Sequence, residues 1–486
     1  MIATAIRDAT VVDGGGGETY VADVGIDDEG RIAAVGDVGP ATTDVDGEGR
    51  VLAPGFVDVH THDDGALLAH PGLAFKLSQG CTSLVIGNCG FSAAPARPGR
   101  QGRDLLGLRP HWEDLDGFAA AVEAKRPACN AVALVGHNTI RHHVMGMEAR
   151  APSAAELQDM RSHVARAMEQ GACGFSSGLV YQPGRYSHTD ELAALAAEAA
   201  PYDGVYATHM RNEGDRLLEA VEEALTISSQ AGVPLQISHH KAAGRRNWGR
   251  VPESLARIDE ARAAGVDVTL DVYPYTAGSG PMIQYFDLDD PDPELAESIR
   301  LASCPAFPHY EGRMLVDVAA ELGVAVTEAV RHVLTAPGGE RTICIQFVMD
   351  EADVIANLAH PAVMVGSDGI PDLEGRPHPR LYGTFPRVLG RYVREQGVLT
   401  LADAVRRMAS LPCERFGLVD RGRVAVGDWA DLVLFDAGTV ADTATYDEPQ
   451  QEAAGIGAVW VNGRLAFDHG RHTGAGAGRL LRYRQG

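Results

Sequence analysis

The sequence predicts an α/β protein: a (β/α)8 barrel of the TIM type, with a small β domain built from both chain termini. Three observations support this fold class. Eight short apolar segments recur after residue 50, helix-like stretches rich in alanine and glutamate separate them, and neither end of the chain has a helical pattern. Strands that alternate with helices form parallel sheets, and a count of eight favours a closed barrel.

Each predicted barrel strand is a short apolar run that ends in polar residues. In chain order the eight runs are GFVDVHTH (55–62), TSLVIGNCG (82–90), NAVALVGHN (130–138), GACGFSSGLVY (171–181), GVYATHMR (204–211), VPLQISHHK (233–241), VDVTLDVYPY (266–275) and AVMVGSDG (362–369). Between them the apolar residues follow helical spacing, as in DRLLEAVEEALTISSQAG (215–232). The carboxyl ends of the strands are therefore expected to meet at one mouth of the barrel.

The two ends of the chain show short strands joined by turns that contain glycine and aspartate. VADVGIDDEGRIAAVG has this pattern near the start, and RVAVGDWADLVLFD has it after about residue 417. We therefore predict that residues 1–54 and 417–486 build one small β domain and that residues 55–416 form the barrel. The stretch from about 280 to 342 is too long for a strand–helix link and predicts an insertion near the barrel mouth.

Charge and composition argue against several classes of function. The 486 residues carry a net charge of −24, which disfavours nucleic acid and anionic membranes as partners. No apolar run approaches the roughly 20 residues that cross a bilayer, and the first residues do not resemble a signal peptide. Seven cysteines without a CxxC pair fit a reducing compartment. We expect a cytoplasmic protein with a small-molecule substrate; the sequence does not predict its oligomeric state.

The predicted strand ends carry side chains suited to metal binding and acid–base chemistry. They are His60, His62, Asn88, Cys89, His137, Tyr181, His209, His239, Lys241, Tyr273 and Asp368. The start of a loop accounts for asparagine and aspartate at such positions, but it accounts poorly for several imidazoles, a cysteine and a lysine. His60 and His62 alternate with Thr61, so both project to the same side of a strand, where two imidazoles can bind one divalent cation.

The same alternation places His239 and Lys241 on one face and turns His240 towards the helical shell. Lys241 then suits an anionic partner such as a substrate carboxylate, the alternative being a solvated lysine at a strand end. Cys89 suits a metal ligand better than a nucleophile, because the surrounding histidines already indicate a metal. Asp368 suits proton transfer, although on local sequence alone an Asp-Gly turn is the simpler explanation.

Seven motifs together resemble the N-acyl-D-amino-acid deacylases, or D-aminoacylases, of the amidohydrolase superfamily. They are PGFVDVHTHDD, IGNCG, THMRNEG, ISHHK, DVYPYTAGS, VGSDG and HPRLYGTF. The HxH pair after PGF is typical of the whole superfamily, whereas NCG together with SHHK and HPRLYGTF is much narrower. The resemblance continues into the terminal GDWADLVLFD and VNGR segments, so it covers nearly the whole chain.

The resemblance implies a metal-dependent site with one tightly held zinc ion, bound by Cys89, His209 and His239. A second, weaker metal position would be framed by His60, His62 and Asp368, with Cys89 shared. Cysteine would then replace the carboxylated lysine or glutamate that bridges two metals in many relatives. A soft thiolate is consistent with zinc.

The activity that the resemblance implies is hydrolysis of the amide bond of an N-acyl-D-amino acid. Zinc would polarise the acyl carbonyl and activate water, and Asp368 would accept the proton and pass it to the departing amine. The residues implied to bind substrate are Lys241, Tyr273, Ser279 and Arg380 at the carboxylate and Tyr181 beside the carbonyl. The preference for the D enantiomer comes only from the resemblance.

One segment departs from the family pattern. Family members that act on acidic D-amino acids carry an arginine shortly after the serine, but residues 280–286 read GPMIQYF. This favours a substrate with a neutral or apolar side chain, or an unusual acylated amine. Two alternatives stay open at this point: a cyclic amidase or dipeptidase-like enzyme, in which Lys241 is the available lysine for carboxylation, and a non-catalytic scaffold of the same fold.

Overall fold

The computed structural model describes residues 1–98 and 107–484. The first part of the chain forms β strands. The strands there are β1 (Ile2–Val11), β2 (Tyr20–Asp27), β3 (Ile32–Gly36), β4 (Thr43–Asp46) and β5 (Val51–Pro54). β1 pairs antiparallel with β2 and parallel with β4 and β5. The turn between β2 and β3 requires Gly30, whose φ is +89° and whose added Cβ would lie 2.2 Å from a backbone oxygen.

Seven parallel strands follow, and each lies beside the strand that precedes it in the chain. They are β6 (Phe56–Asp58), β7 (Cys81–Ile86), β8 (Asn130–Gly136), β9 (Gly174–Gly178), β10 (Val205–His209), β11 (Leu235–Ile237) and β12 (Val268–Val272). Each pairs parallel with its neighbour in chain order. Every residue of these strands is buried, as expected for a parallel sheet covered on both faces.

Helices cover the outside of these strands. Those up to β12 are α1 (Ala66–Ala69), α2 (Ala74–Leu77), α3 (Leu115–Lys125), α4 (His137–Met145), α5 (Ala154–Glu169), α6 (Thr189–Ala196), α7 (Leu217–Ala231) and α8 (Val251–Ala263). The signals for their ends are local: Ser153 and Glu156 form a capping box at the start of α5, and Gly232 in a left-handed conformation ends α7.

A small layer is inserted after β12. It contains β13 (Gly278–Pro281), α9 (Pro293–Glu297), β14 (Ile299–Ser303), α10 (Leu315–Leu322), α11 (Val326–Thr335) and β15 (Ile343–Gln346). Its strands form a separate three-stranded antiparallel sheet, and its helices pack on a core of their own that includes Leu301, Leu315 and Val330.

The barrel is completed after this insertion. The elements are α12 (Glu351–Ala359), β16 (Val363–Val365), α13 (Arg380–Arg387), a π-helical turn (Val388–Glu395), α14 (Leu401–Met408) and α15 (Ser410–Phe416). β16 pairs parallel with β12, and a parallel bridge from Thr61 to Gly369 joins the segment after β6 to the segment after β16. The two edges of the sheet therefore meet through the segments that follow β6 and β16, and the predicted (β/α)8 barrel is confirmed.

The chain returns to the first sheet at its end. The last strands are β17 (Leu432–Phe435), β18 (Ile456–Val461), β19 (Arg464–Asp468) and β20 (Arg471–His472). β17 pairs antiparallel with β5, so strands from both ends share one nine-stranded sheet, as predicted. The domain boundaries themselves, at residues 54 and 417, stay predictions. Within the described ranges, the longest and most apolar helices fall short of what is needed to cross a bilayer.

Candidate metal centre and active site

One cysteine and two histidines converge at the carboxyl ends of the barrel strands. Cys89 follows β7, His209 is the last residue of β10, and His239 follows β11. The Sγ atom of Cys89 lies 3.8 Å from Nδ1 of His209 and 3.5 Å from Nε2 of His239. All three residues are buried. The barrel thus brings together three donors that come from three separate motifs.

A second group of donors adjoins the first, beside β6 and β16. Nε2 of His60 lies 3.3 Å from Sγ of Cys89 and 3.6 Å from Oδ1 of Asp368. Nε2 of His62 lies 3.3 Å from the same carboxylate oxygen. Both histidines follow the end of β6 instead of lying within a strand. The bridge that closes the barrel nevertheless keeps this segment extended, so both rings reach the same carboxylate.

Three of these site residues have a left-handed backbone. The φ angles are +54° at Cys89, +35° at His239 and +49° at Asp368. Such angles are uncommon for residues other than glycine, cost about 1–3 kcal/mol each and cluster at functional sites. The chain therefore turns sharply at three strand ends, and each turn directs a donor into the mouth of the barrel.

The chemistry of this donor set fits a zinc ion, because a thiolate with imidazoles is a ligand set that zinc prefers. Burial lowers the pKa of both His209 and His239 well below the ordinary histidine value, so both rings are neutral and able to bind a metal. Burial raises the pKa of the Cys89 thiol to about 11, although His60 opposes the shift. A cation at the sulfur would favour the thiolate. Three sets of ligand atoms lie within 4.8 Å of one another: Cys89–His209–His239, His60–His62–Cys89 and His60–His239–Asp368.

Two buried carboxylates fasten the loops that carry these donors. Asp64 accepts hydrogen bonds of 3.1 Å from the backbone amides of Gly87 and Ala93, which flank the cysteine in sequence. Asp271 accepts a hydrogen bond of 2.8 Å from the backbone amide of His239. The sequence carried no specific signal for Asp271, which is an acidic residue inside a buried strand. Asp64 follows the HxH pair and has a structural role that spacing could not reveal.

A buried ion-pair network lies beneath the histidine pair. Nζ of Lys76 lies 2.6 Å from Oδ2 of Asp58 and 3.1 Å from Oδ2 of Asp63, and it donates to Oγ of Ser367. The backbone amide of Ser367 in turn donates to Asp58 at 2.7 Å. The network links the first and last barrel strands, so it holds the two halves of the second donor group in register.

Arg380 lies beside the carboxylate of Asp368 and is fully buried. Its Nη2 lies 3.0 Å from Oδ2 of Asp368 and donates to the backbone carbonyl of Ser279 at 3.1 Å. Among the described residues, no hydrogen-bond partner is found for its Nε or Nη1. Buried guanidinium donors without an acceptor are costly, so this arrangement favours an anionic ligand.

The predicted Lys241 and Tyr273 are next to this arginine. The guanidinium carbon of Arg380 lies 4.5 Å from the centre of the Tyr273 ring, and Nζ of Lys241 lies 5.7 Å from it. Nζ of Lys241 also lies 2.7 Å from Oε1 of Glu213. Burial lowers the pKa of Lys241, but Glu213 and Tyr273 outweigh burial and the net pKa is raised. Two permanent cations therefore face one tyrosine. The sequence carried no signal that marked Glu213, although it belongs to the THMRNEG motif.

Tyr181 lies beside the metal-binding donors, with its ring centre 4.8 Å from that of His209. Burial raises its pKa well above the ordinary tyrosine value, so the hydroxyl keeps its proton. A cleft of about 720 Å³ opens here, and His209, Tyr285 and Gln346 are among the residues that line it. The cleft is large enough for a small organic substrate.

Three other strand-end residues do not join the site. Nε2 of His137 lies 2.9 Å from Oε1 of Glu191, a carboxylate that also binds Arg141. His137 follows the end of β8 as predicted, but it does not contribute to the site. Asn88 donates from its side chain to the backbone carbonyl of Val85 in the preceding strand, β7. His240 is hydrogen-bonded to side chains of the helical shell, as its position in the alternation predicted.

The fold and the site together define a metal-dependent hydrolase built on a (β/α)8 barrel. The chain belongs to the amidohydrolase family, whose model matches residues 44–309 and 255–467. The N-acyl-D-glutamate deacylase of Alcaligenes xylosoxydans xylosoxydans is 46% identical over 98% of this chain and 96% of its own. The D-aminoacylase of the same organism is 43% identical over 97% and 96%.

A solved structure shows a similar likeness over the whole chain. The N-acyl-D-glutamate deacylase from Bordetella bronchiseptica, complexed with zinc and a phosphonate inhibitor that mimics the tetrahedral intermediate, has a TM-score of 0.91 and 42% identity. The match covers 99% of each chain. The family resemblance carried by the sequence motifs is therefore confirmed.

Proposed function

We propose that this protein uses zinc to hydrolyse the amide bond of N-acyl-D-amino acids, releasing a carboxylate and a free D-amino acid. The observation that carries the proposal is the convergence of Cys89, His209 and His239 beside Asp368, with a buried arginine next to them. The full-length likeness to a D-aminoacylase and to N-acyl-D-glutamate deacylases supports the same reaction and the same enantiomer.

Within this proposal, Cys89, His209 and His239 hold the tightly bound zinc ion. His60, His62 and Asp368 frame the second, weaker position, with Cys89 shared between the two. Bound zinc supplies a Lewis acid that polarises the acyl carbonyl and makes water more acidic.

Asp368 is the proposed general base and general acid. Burial raises its pKa, but the charge of Arg380 and the hydrogen bond from His62 oppose burial, and the pKa lies well below the usual aspartate range. The carboxylate is therefore ionised at neutral pH and can accept a proton from the attacking water. The water oxygen bonds to the acyl carbon, the C–N bond breaks, and Asp368 returns the proton to the departing amine.

Arg380 and Lys241 are the proposed partners of the substrate carboxylate, with Tyr273 and Ser279 beside them. The unpaired donors of Arg380 support this assignment, because a carboxylate would supply the missing acceptors. Tyr181, which keeps its proton and lies against His209, is placed beside the reacting carbonyl. This arrangement orients the amide between the carboxylate-binding side and the metal-binding donors.

The lining of the cleft favours substrates with a neutral side chain. Three arginines are among the lining residues, together with five acidic residues: Glu213, Asp215, Asp292, Glu294 and Glu297. The excess of negative charge repels an acidic side chain. The same cleft contains apolar surface from Met314, Val316 and Phe347.

The proposal predicts the outcome of an assay on N-acetyl amino acids of both enantiomers, with release of free amine as the measurement. We expect hydrolysis of D substrates and at least about tenfold lower kcat/KM for their L counterparts. Neutral side chains such as that of methionine are expected to be preferred over glutamate and aspartate. Preference for L substrates, or no hydrolysis by zinc-loaded protein, would overturn the proposed function. Preference for acidic D substrates would overturn only the side-chain assignment.

Replacing Lys241 with alanine is expected to raise KM about 10- to 100-fold for substrates with a free carboxylate, because one charge-assisted hydrogen bond is lost. The value of kcat should change far less, since Nζ of Lys241 faces Nδ1 of His239, the ring nitrogen turned away from Cys89, and not the nitrogen proposed to bind the metal. Lys125→Ala is a matched control, because Lys125 is exposed on α3. An unchanged KM in folded Lys241→Ala protein would contradict the assignment.

The position of Lys241 also disfavours a cyclic amidase with a carboxylated lysine. Its Nζ faces Glu213 and Nδ1 of His239, which is the nitrogen turned away from Cys89. The cysteine sulfur occupies the position between the two donor groups.

A cytoplasmic location is part of the proposal and is supported by the seven cysteines, all of which are buried free thiols.

A further inference from the structure

Glu213 lies behind both histidines that flank Cys89. Its Oε1 lies 2.9 Å from Nδ1 of His239, and its Oε2 lies 3.5 Å from Nε2 of His209. These are the two ring nitrogens that do not face the sulfur. One carboxylate therefore reaches the outer side of both imidazoles, while the inner nitrogens converge on Cys89.

The backbone fixes Glu213 in this position. Its carbonyl accepts a hydrogen bond of 2.7 Å from the amide of Ala243, which ties the loop after β10 to the loop after β11. The side chain of Asn212 accepts hydrogen bonds from the amides of Gly214 and Arg216, at 2.9 Å each. The backbone of Glu213 is thus tied to the segment after β11, which also carries His239.

Lys241 introduces a competing arrangement at His239. Its Nζ lies 2.8 Å from Nδ1 of His239 and 2.7 Å from Oε1 of Glu213. If the lysine donated to Nδ1, the ring proton would sit on Nε2 and point at Cys89, which would block metal binding. A carboxylate can only accept, so a proton on Nδ1 is stabilised by Glu213 and Nε2 is left free.

We propose that Glu213 is a positioning residue that fixes the ring tautomers of His209 and His239, so that both present a free nitrogen towards Cys89. It also accepts a hydrogen bond from Lys241 and so competes with Nδ1 of His239 for the donors of this lysine. The proposal rests on the proposed zinc-dependent function. Carboxylates in this position orient imidazole ligands and raise their basicity.

Zinc affinity measured by competition with a chromophoric chelator tests the proposal without any substrate. Glu213→Gln is expected to weaken zinc binding about 10- to 100-fold. Glu222→Gln is the matched control: Glu222 lies on α7 in an exposed pair with Arg257, and its variant should bind zinc as the parent does. With Co²⁺ in place of zinc, the thiolate-to-cobalt absorption band should weaken or shift in Glu213→Gln alone.

A double variant separates positioning from a merely structural role. Adding Lys241→Met to Glu213→Gln removes the competing donor, so zinc affinity should recover in part; a structural defect would not be repaired. Parent-like zinc affinity in folded Glu213→Gln protein would overturn the proposal. If that variant does not fold, Glu213→Asp takes its place, and parent-like zinc affinity in folded Glu213→Asp protein would likewise overturn the proposal. A parent protein that binds no zinc would overturn the proposed function as well.

Discussion

Asp368→Asn is expected to lower kcat by about 10²- to 10⁴-fold, the range typical for loss of a general acid–base group. Asparagine keeps the shape of the side chain and can still accept a hydrogen bond from Arg380, but it cannot accept and return a proton. Cys89, His209 and His239 remain in place, so the tightly bound zinc should stay. Steady-state kinetics on an N-acetyl-D-amino acid, together with metal analysis of the same sample, measure both parts of this result.

The control for this substitution is Asp290→Asn, because Asp290 is exposed in the inserted layer. It makes the same chemical change without altering the site, so its kcat should equal that of the parent. A kcat for Asp368→Asn within about threefold of the parent, with zinc retained, would be incompatible with proton transfer by Asp368. Loss of zinc with loss of activity would instead assign Asp368 to the tight metal site.

Cys89→Ala is expected to remove most of the tightly bound zinc and almost all activity. The sulfur lies within 3.8 Å of a nitrogen atom from each of three histidines, so it is the donor common to both metal positions. Without it, the tight position keeps two imidazoles, too few for the three protein ligands typical of a catalytic zinc. Metal analysis after dialysis should show a fall from about one zinc per chain to a small fraction of that.

Cys173→Ala is the matched control for the cysteine substitution. Cys173 is buried in the barrel packing and belongs to none of the three donor sets. Its variant should lose some stability but keep its zinc. If folded Cys89→Ala protein retained full metal content, cysteine would be removed from the ligand set and the histidines would have to bind the metal without it.

Much of the fold followed from local patterns. Short apolar runs separated by helical spacing identified all eight barrel strands, because strand and helix periodicities are properties of neighbouring residues. The metal donors were also identifiable, since cysteine and histidine at strand ends are unusual for loops. His137 was the exception: it follows a strand end like the others, but its ring binds Glu191 and belongs to none of the three donor sets.

The supporting residues could not be found in the same way. Asp64, Asp271 and Glu213 act on backbone amides or rings, and the contacts of Asp64 and Glu213 reach loops that follow other strands. Asp and Glu are common in loops, so their spacing carries little information. Their roles depend on which loops lie side by side after the barrel has closed.

The sequence by itself determined the class of fold and the set of possible metal ligands, because hydrophobic periodicity and residue chemistry are local. Only the tertiary structure decided which donors meet, which ring nitrogens face the sulfur and which carboxylate lies behind them. Those relations join residues as far apart as His60 and Asp368, and they exist only because the segments after the first and last strands pair and the strands bring their carboxyl ends to one mouth.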